Sequence, residues 1–392
     1  MSGDQSLTSD FAANQQLVST TPAINAPPSP SKFGRILRPI TALISALLFT
    51  AVASPGAAKA GESSSSESYK VLPPILHGNL AIFPVVSGHS FDTSQFMTLD
   101  EGVRSGQVTI TETGDERGLV RPGQPIPARR QGAEVNRLVL SNNSNRPLLL
   151  LTGEIVTGGK QDRVIGSDRI VPANTGPIDL GVFCVEPGRW VESSSKFGSM
   201  GAQMAQPSVR TPAMAARDQQ QVWANVRTSN ATVAVRVGGP EAMALAGTTP
   251  YAKVFNSAPV QQKIAGYGGI EGEQAILREL RAQGAVGVVV AVNGRVMWAD
   301  ILASTELLSK YWPKLMRSYV AEAMTATTQP ALLDVHDAEL FMTTLSGGRE
   351  VAETEPGVYR RTDLTGDGYR VFELMSLLPK AEFKVHITKI AQ

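Results

Sequence analysis

The chain has 392 residues, 42% of them hydrophobic and 18% charged, and carries a formal net charge of +1. This is an ordinary globular composition with enough apolar residues for one large or two smaller cores. The near-neutral balance argues against a nucleic-acid or acidic-polymer partner held by a strong overall field, and a single cysteine, Cys184, excludes an intramolecular disulfide.

Residues 1–31 are rich in Ser, Thr, Gln, Asn, Ala and Pro and read as a disordered extension. Over 32–60, Lys32, Arg35 and Arg38 precede the apolar run Ile40 to Ala53, followed by the small-x-small pattern Ala58-Lys59-Ala60. No acidic residue lies between Asp10 and Glu62. This is the pattern of a secretory signal peptide, and its apolar run falls short of the roughly 20 residues of a membrane span. It predicts an exported domain, periplasmic or extracellular. The alternative is an uncleaved anchor, which is the only membrane contact expected. The Ser-rich segment that follows, over 61–74, is expected to be a flexible spacer.

From Tyr69 to Val86 the chain is apolar and Pro-punctuated, which suggests short edge-type strands. Thr98 with Glu101 three residues on has capping-box spacing for a short helix to Arg104, and Val108 to Glu112 alternates as a half-buried strand. The runs Leu138 to Leu140, Leu148 to Leu151, Arg163 to Val171 and Ile178 to Val185 are bounded by Gly, Pro or Asn and predict an antiparallel sheet or sandwich. The aperiodic stretch from Glu192 to Pro212 is long for a loop in a compact domain, and is open to reading as a mobile lid or a plain insertion.

Ala213 to Arg227 reads as a helix, and so does Glu271 to Gln283, closed by Gly284. Val286 to Val292, Asn293-Gly294 and Arg295 to Ile301 form the strongest hairpin signal in the chain. Thr305 to Met324 is amphipathic, with Pro313 expected to kink or restart it. Asp337 to Leu345 suggests another helix, and Val358 to Arg361, Tyr369 to Leu374 and Glu382 to Ile387 suggest strands. The expected fold is α+β: an antiparallel β-rich first part packed with a mixed α/β second part. The globular domain is placed over 75–325, with a C-terminal α+β extension over 326–392 packed on it.

The stretch Leu148 to Trp190 inserts polar groups into apolar runs, and such groups must satisfy one another or make a site. Lys160 and Arg163 could hold a phosphate or carboxylate, with Gln161 beside them and Glu154 as base or hydroxyl acceptor. The alternative is a self-satisfied hairpin. Glu186, Arg189 and Trp190 offer an acid, a planar fork and a stacking face, or else an internal pair with Trp190 covering the core. Cys184, in an alternating strand, reads as a buried structural thiol. His77, His89, His336 and His386 lack metal-ligand spacing, so no metal is expected. Asp363-x-Thr365-x-Asp367-Gly368 has Leu374 where a calcium loop needs its twelfth ligand, and reads as a hairpin turn. Gly266 to Gly272 misses dinucleotide spacing, and no cofactor is implied.

The run Val135-Asn-Arg-Leu-Val-Leu, the segment Pro147-Leu-Leu-Leu-Leu-Thr-Gly-Glu154, the motif Gly159-Lys-Gln-Asp-Arg163, Val171-Pro172 and Cys184-Val-Glu-Pro-Gly-Arg-Trp190 together resemble the ADP-ribosylglycohydrolase and rhodanese-phosphatase superfamily associated protein domain. Tyr311-Trp312-Pro-Lys-Leu and the later hairpin are similar to it as well. The resemblance implies a role beside enzymes that process ADP-ribose and related nucleotide derivatives. By motif position it draws attention to Glu154, Lys160, Gln161, Arg163, Glu186, Arg189 and Trp190, the residues chosen above on physical grounds.

Two functions follow as expectations. In the first, an exported domain binds or processes a small anionic ligand of nucleotide or ADP-ribose type. Lys160, Gln161, Arg163, Arg189 and Trp190 bind it, and Glu154 or Glu186 is the catalytic residue, as polar orienter or base. In the second, the chain is a non-enzymatic cell-envelope interaction protein whose polar groups are internal glue. Geometry separates the two: the side chains converge on an open cavity, or they pair in a dry interior.

Overall fold

The structure, a computed structural model, describes residues 68–114, 134, 136–188, 193–199, 203–326, 333–343, 345 and 347–392. The expected extension over 1–31 and signal segment over 32–60 lie outside the described residues, as do Arg189 and Trp190. The elements begin with β1 (Tyr69–Val71), β2 (Ile75–His77), β3 (Leu80–Ser87), β4 (Met97–Thr98), α1 (Leu99–Arg104), β5 (Val108–Glu112), β6 (Arg137–Asn142) and β7 (Leu148–Leu150). Next come β8 (Ile155–Val156), β9 (Arg163–Ile165), β10 (Arg169–Val171), β11 (Thr175–Cys184), α2 (Pro207–Thr211), a π-helical turn (Pro212–Ala216), α3 (Gln219–Val237), α4 (Gly239–Ala246), α5 (Tyr251–Phe255), α6 (Ala258–Ala265) and α7 (Gly269–Ala282). The chain closes with β12 (Ala285–Val292), β13 (Arg295–Leu302), α8 (Thr305–Thr325), α9 (Val335–Thr343), β14 (Arg349–Glu355), β15 (Tyr359–Gly366), β16 (Tyr369–Ser376) and β17 (Lys384–Ala391).

Among the described residues the strands form three sheets, and with the helices they make the expected α+β fold. The largest sheet has nine strands in the order β1-β3-β12-β13-β17-β16-β15-β14, with β2 also paired to β3. The two-residue period of a strand divides its side chains between two cores. Leu80, Ile82, Val288, Val290 and Trp298 pack toward α3 and α8. Ala81, Phe83, Val85, Val289, Ala291 and Ile301 pack toward Ala338 and Met342 of α9. Burial on both faces explains why β12 reads Ala-Val-Gly-Val-Val-Val-Ala-Val with no polar alternation. The other sheets run β10-β7-β4 and β5-β6-β11-β9-β8 and share a third core around Leu140, Leu150, Val182 and Phe197. None of the described helices is long and apolar enough to cross a membrane.

Several elements depart from their expected positions for identifiable reasons. β3 is an inner strand, not an edge. Its Pro84 stands opposite the break between β1 and β2, where the ladder is already interrupted, and the Pro84 carbonyl accepts from the Leu72 amide. The spacer expected over 61–74 gives way to β1 at Tyr69. The helix expected at Ala213 begins only at Gln219: Arg217 takes φ 51°, which ends the π-helical turn, and the Asp218 side chain caps α3 by accepting from the Gln220 and Gln221 amides. α8 continues through Pro313 as a single helix. The ring costs one hydrogen bond to the Ser309 carbonyl, and burial of residues from Leu307 to Met324 outweighs it. β14, absent from the sequence reading, is a wholly polar strand except for Val351 and Ala352, and nearly all of it is exposed.

The described parts of the stretch from Glu192 to Pro212 are anchored. Thr157 bridges Gly198, Glu154 bridges Met204, Phe197 and Met204 are buried, and the segment from Pro207 is helical. The hairpin at Asn293-Gly294 forms with φ 52° and 75°, as the two-residue turn demands. Gly368 turns β15 into β16, so the Asp363 to Gly368 segment is a hairpin turn.

Candidate functional site

The residues singled out between Glu154 and Glu186 lie together around the β8–β9 turn and the end of β11. Arg163 is fully buried; its guanidinium donates to the Gln161 carbonyl at 2.6 Å and stands 3.6 Å from the Glu112 carboxylate. The Lys160 backbone amide donates to the same Glu112 oxygen at 2.8 Å, and the Lys160 side chain is half-buried. Gln161 donates to the Glu186 carbonyl at 3.0 Å, and the Glu186 carboxylate accepts from the Asp162 amide at 3.2 Å. Gly159 must be glycine here: it has φ 52°, and a Cβ would stand 2.3 Å from the Phe197 ring and 2.6 Å from the Glu112 carboxylate. Cys184 is buried beside this cluster, its amide and carbonyl clamped by the Gln219 side chain. Burial pushes its thiol up to about 11, which suits a packing role more than a nucleophile.

Glu154 belongs to a different group. One of its oxygens accepts from Lys314 at 2.6 Å and the other from the Leu151 amide at 2.7 Å. Lys314, on α8, also reaches Asp100 of α1 at 2.6 Å, so a buried lysine joins two carboxylates from distant parts of the chain. Burial raises the Glu154 carboxyl above its usual range despite Lys314, and the two carboxylates hold Lys314 above its own despite burial.

A third group was not anticipated. Asp300 of β13 is completely buried and accepts from Trp298 at 2.8 Å, Tyr319 at 2.6 Å and Thr388 at 2.8 Å. Arg210 of α2 meets it with both terminal nitrogens, at 3.1 and 3.2 Å. Between Asp300 and Asp168 sits His386, with Nε2 3.2 Å from the first and Nδ1 2.5 Å from the second. Asp168 also accepts from the Thr152 amide and hydroxyl. Burial alone would neutralise the imidazole, but the two aspartates raise it to about 9. His386 and Arg210 in turn hold Asp168 and Asp300 below the usual carboxylate range, although burial opposes this. Two acids and two bases make a buried tetrad whose formal charges cancel. Gly153 accommodates it, since at φ 95° a Cβ would lie 2.6 Å from the Arg210 side chain.

Open space lies elsewhere. A cavity of about 440 Å³ is bounded by α3, α8 and the turn end of the β12–β13 hairpin. Its α3 wall is the row Asn225, Thr228, Ser229 and Thr232, which the helical repeat places on one face. Val292, Val296 and Met297 supply an apolar wall, and Arg295 stands exposed at the hairpin. The buried acid is Glu322 of α8: one oxygen accepts from the Ser208 amide at 2.8 Å and from Gln206 at 3.2 Å, and the Ser208 hydroxyl also bonds the carboxylate. Burial raises its carboxyl above the ordinary range. Gln206 also donates to Thr325 and accepts from Ser229, so the polar lining is preorganised.

None of Glu154, Lys160, Gln161, Arg163 and Glu186 lines this cavity. The structure brings Lys160, Gln161, Arg163 and Glu186 together, places Glu154 apart with Lys314, and leaves Arg189 and Trp190 outside the described residues. No curated protein and no solved structure matches the chain. The contacts that build these groups run from Asp100 of α1 to Thr388 of β17, and over residues 68–387 the sequence matches the ARG and Rhodanese-Phosphatase-superfamily-associated Protein domain (ARPP-1), so that the chain belongs to this family.

Proposed function

We propose that the chain is an exported domain that binds a small anionic ligand of nucleotide or ADP-ribose type, and that the cavity between α3 and α8 receives it. One observation carries the reading: a preorganised cavity of about 440 Å³ combines a buried carboxylate, a row of hydroxyls, an apolar wall and a guanidinium with no acidic partner among the described residues. Cavities of this size with a few fixed polar groups are where small molecules bind. Export rests on the basic residues, apolar run and Ala58-Lys59-Ala60 pattern of the N-terminal segment.

A thermal-shift series on the full chain with ADP-ribose, nucleotides and sugar phosphates tests the binding. A ligand at a hundred times its Kd adds about 2.7 kcal/mol, a midpoint rise of several degrees, and Arg295→Ala removes it. N-terminal sequencing of the protein recovered outside the cytoplasm tests export, with Gly61 as the expected first residue.

The second reading, a non-enzymatic interaction or structural protein of the cell envelope, draws on the mutual pairing of Arg163, Glu112, Gln161 and Glu186. It is favoured if no ligand shifts the midpoint while Arg163→Met unfolds the chain.

A further inference from the structure

Three features of the cavity decide which part of a ligand each wall contacts. The first is the Glu322 carboxylate. Oε2 is fixed by the Ser208 amide and the Gln206 side chain, which locks the carboxylate plane. The Ser208 hydroxyl adds to this hold, and Oε1 is not sealed within the wall although the residue is only 8% exposed. Glu322 lines the cavity, and a carboxylate oxygen that opens onto a cavity can accept from a ligand's hydroxyl. The second is the α3 row. Ser229 is committed to Gln206, Asn225 to the Ser208 carbonyl, and Thr232 to the Thr228 carbonyl. Thr228, on the same face, is exposed and has no hydroxyl partner among the described residues. The third is Arg295, beside Val296 and Met297 and without an acidic partner among the described residues.

Resting on the ligand reading, we infer that the cavity selects a ribose phosphate by its vicinal diol: Glu322 Oε1 accepts from the diol, Thr228 bonds it from the facing helix, and Arg295 takes the phosphate. A pair of neutral hydroxyl donors suits Glu322 better than an ammonium group does. Its carboxyl is shifted upward by burial with no cation set against it, and bringing a second charge into that wall carries the desolvation cost of a buried ion. The hydrophobic wall of Val292, Val296 and Met297 gives the flat apolar face of a base a surface to lie on.

Isothermal titration of the full chain with ADP, 2′,3′-dideoxy-ADP and inorganic phosphate tests the assignment. ADP is expected to bind at least about tenfold more tightly than the dideoxy compound, the loss expected when a buried acceptor is left without its donor. Glu322→Gln is expected to abolish that preference while leaving dideoxy-ADP affinity within about twofold, and Arg295→Ala to weaken both nucleotides. Thr228→Val, a change at an exposed position, is expected to reduce the preference without touching the Glu322 contacts, so misfolding of the Gln variant does not decide the matter. Equal affinity for the two nucleotides overturns the diol assignment but leaves the ligand reading standing. Binding of neither nucleotide overturns both, and binding of phosphate with the same affinity as ADP assigns the site to the anion alone and overturns the diol assignment.

Discussion

The tetrad of Asp168, His386, Asp300 and Arg210 makes the sharpest prediction about stability. The two aspartates raise His386 from 6.5 to about 9 in the folded chain. For a base raised in this way, the stabilisation is fully present below the unfolded value and is lost as pH rises through the folded one. Between pH 6.5 and 8 the unfolded chain releases the imidazole proton while the folded chain keeps it. Stability therefore falls by about 1.4 kcal/mol per pH unit, or roughly 2 kcal/mol over that interval. The aspartates are held below their usual range and do not titrate there. Lys389, which burial depresses to about 8, contributes with the opposite sign and mainly above the interval. Urea unfolding of the chain and of His386→Gln at half-unit steps from pH 6 to 8 isolates the histidine, because every other group is common to both. His386→Gln also leaves two buried carboxylates facing one guanidinium, at a cost of about 3–5 kcal/mol, so its curve lies lower and flatter. Parallel curves for the two proteins would refute a protonated His386.

Lys314→Met strands Glu154 and Asp100 in the interior and is expected to lower the unfolding free energy by about 3–5 kcal/mol, while the Lys314→Met, Glu154→Gln pair recovers part of that loss in the same urea assay. Gly153→Ala sets a Cβ against Arg210 at a left-handed position and is expected to cost about 1–3 kcal/mol by thermal unfolding. Cys184 is expected to resist a thiol reagent at pH 8 in the folded chain and to react on unfolding in urea, since its thiol is buried and pushed up to about 11.

What could be read from the sequence was whatever local chemistry determines. The hairpin at Asn293-Gly294, the capping box from Thr98 to Glu101 and the stop at Gly284 all depend on a few neighbouring residues, and all form. α4, α5 and α6 follow one another through short connections over 239–265 with weak periodicity, and no single segment announces them. The polar residues in the Leu148 to Trp190 stretch were visible because they interrupt apolar runs. Their partners were not: Lys314 lies 160 residues from Glu154, and Asp168 lies 218 from His386. Two signals for the cavity were nonetheless present. Asn225, Thr228, Ser229 and Thr232 form a polar row at helical spacing on a helix that also buries Val222, Val226 and Val233. Glu322 stands inside Val-Ala-Glu-Ala-Met on an otherwise buried stretch of α8. A buried charge within an apolar helical run has the same meaning as one in a strand, and here it marks the wall of a cavity.

The tetrad and the cavity are joined by one short helix. α2 spans only Pro207–Thr211, too short to be stable by its own hydrogen bonds. Arg210 at its C-terminal end is fixed by Asp300 of β13, while the Ser208 amide near its start and Gln206 just before it hold the Glu322 carboxylate. The geometry of the cavity wall thus depends on an ion pair on the other side of the same helical turn. Arg210→Met should consequently do more than destabilise the chain. With α2 released, the Ser208 amide no longer fixes Glu322, and the nucleotide binding proposed for the cavity is expected to weaken at temperatures where the variant is still folded. Lys314→Met, on α8 but outside this connection, gives comparable destabilisation without that loss. If the two variants, matched for stability, bind equally well, α2 does not couple the tetrad to the cavity.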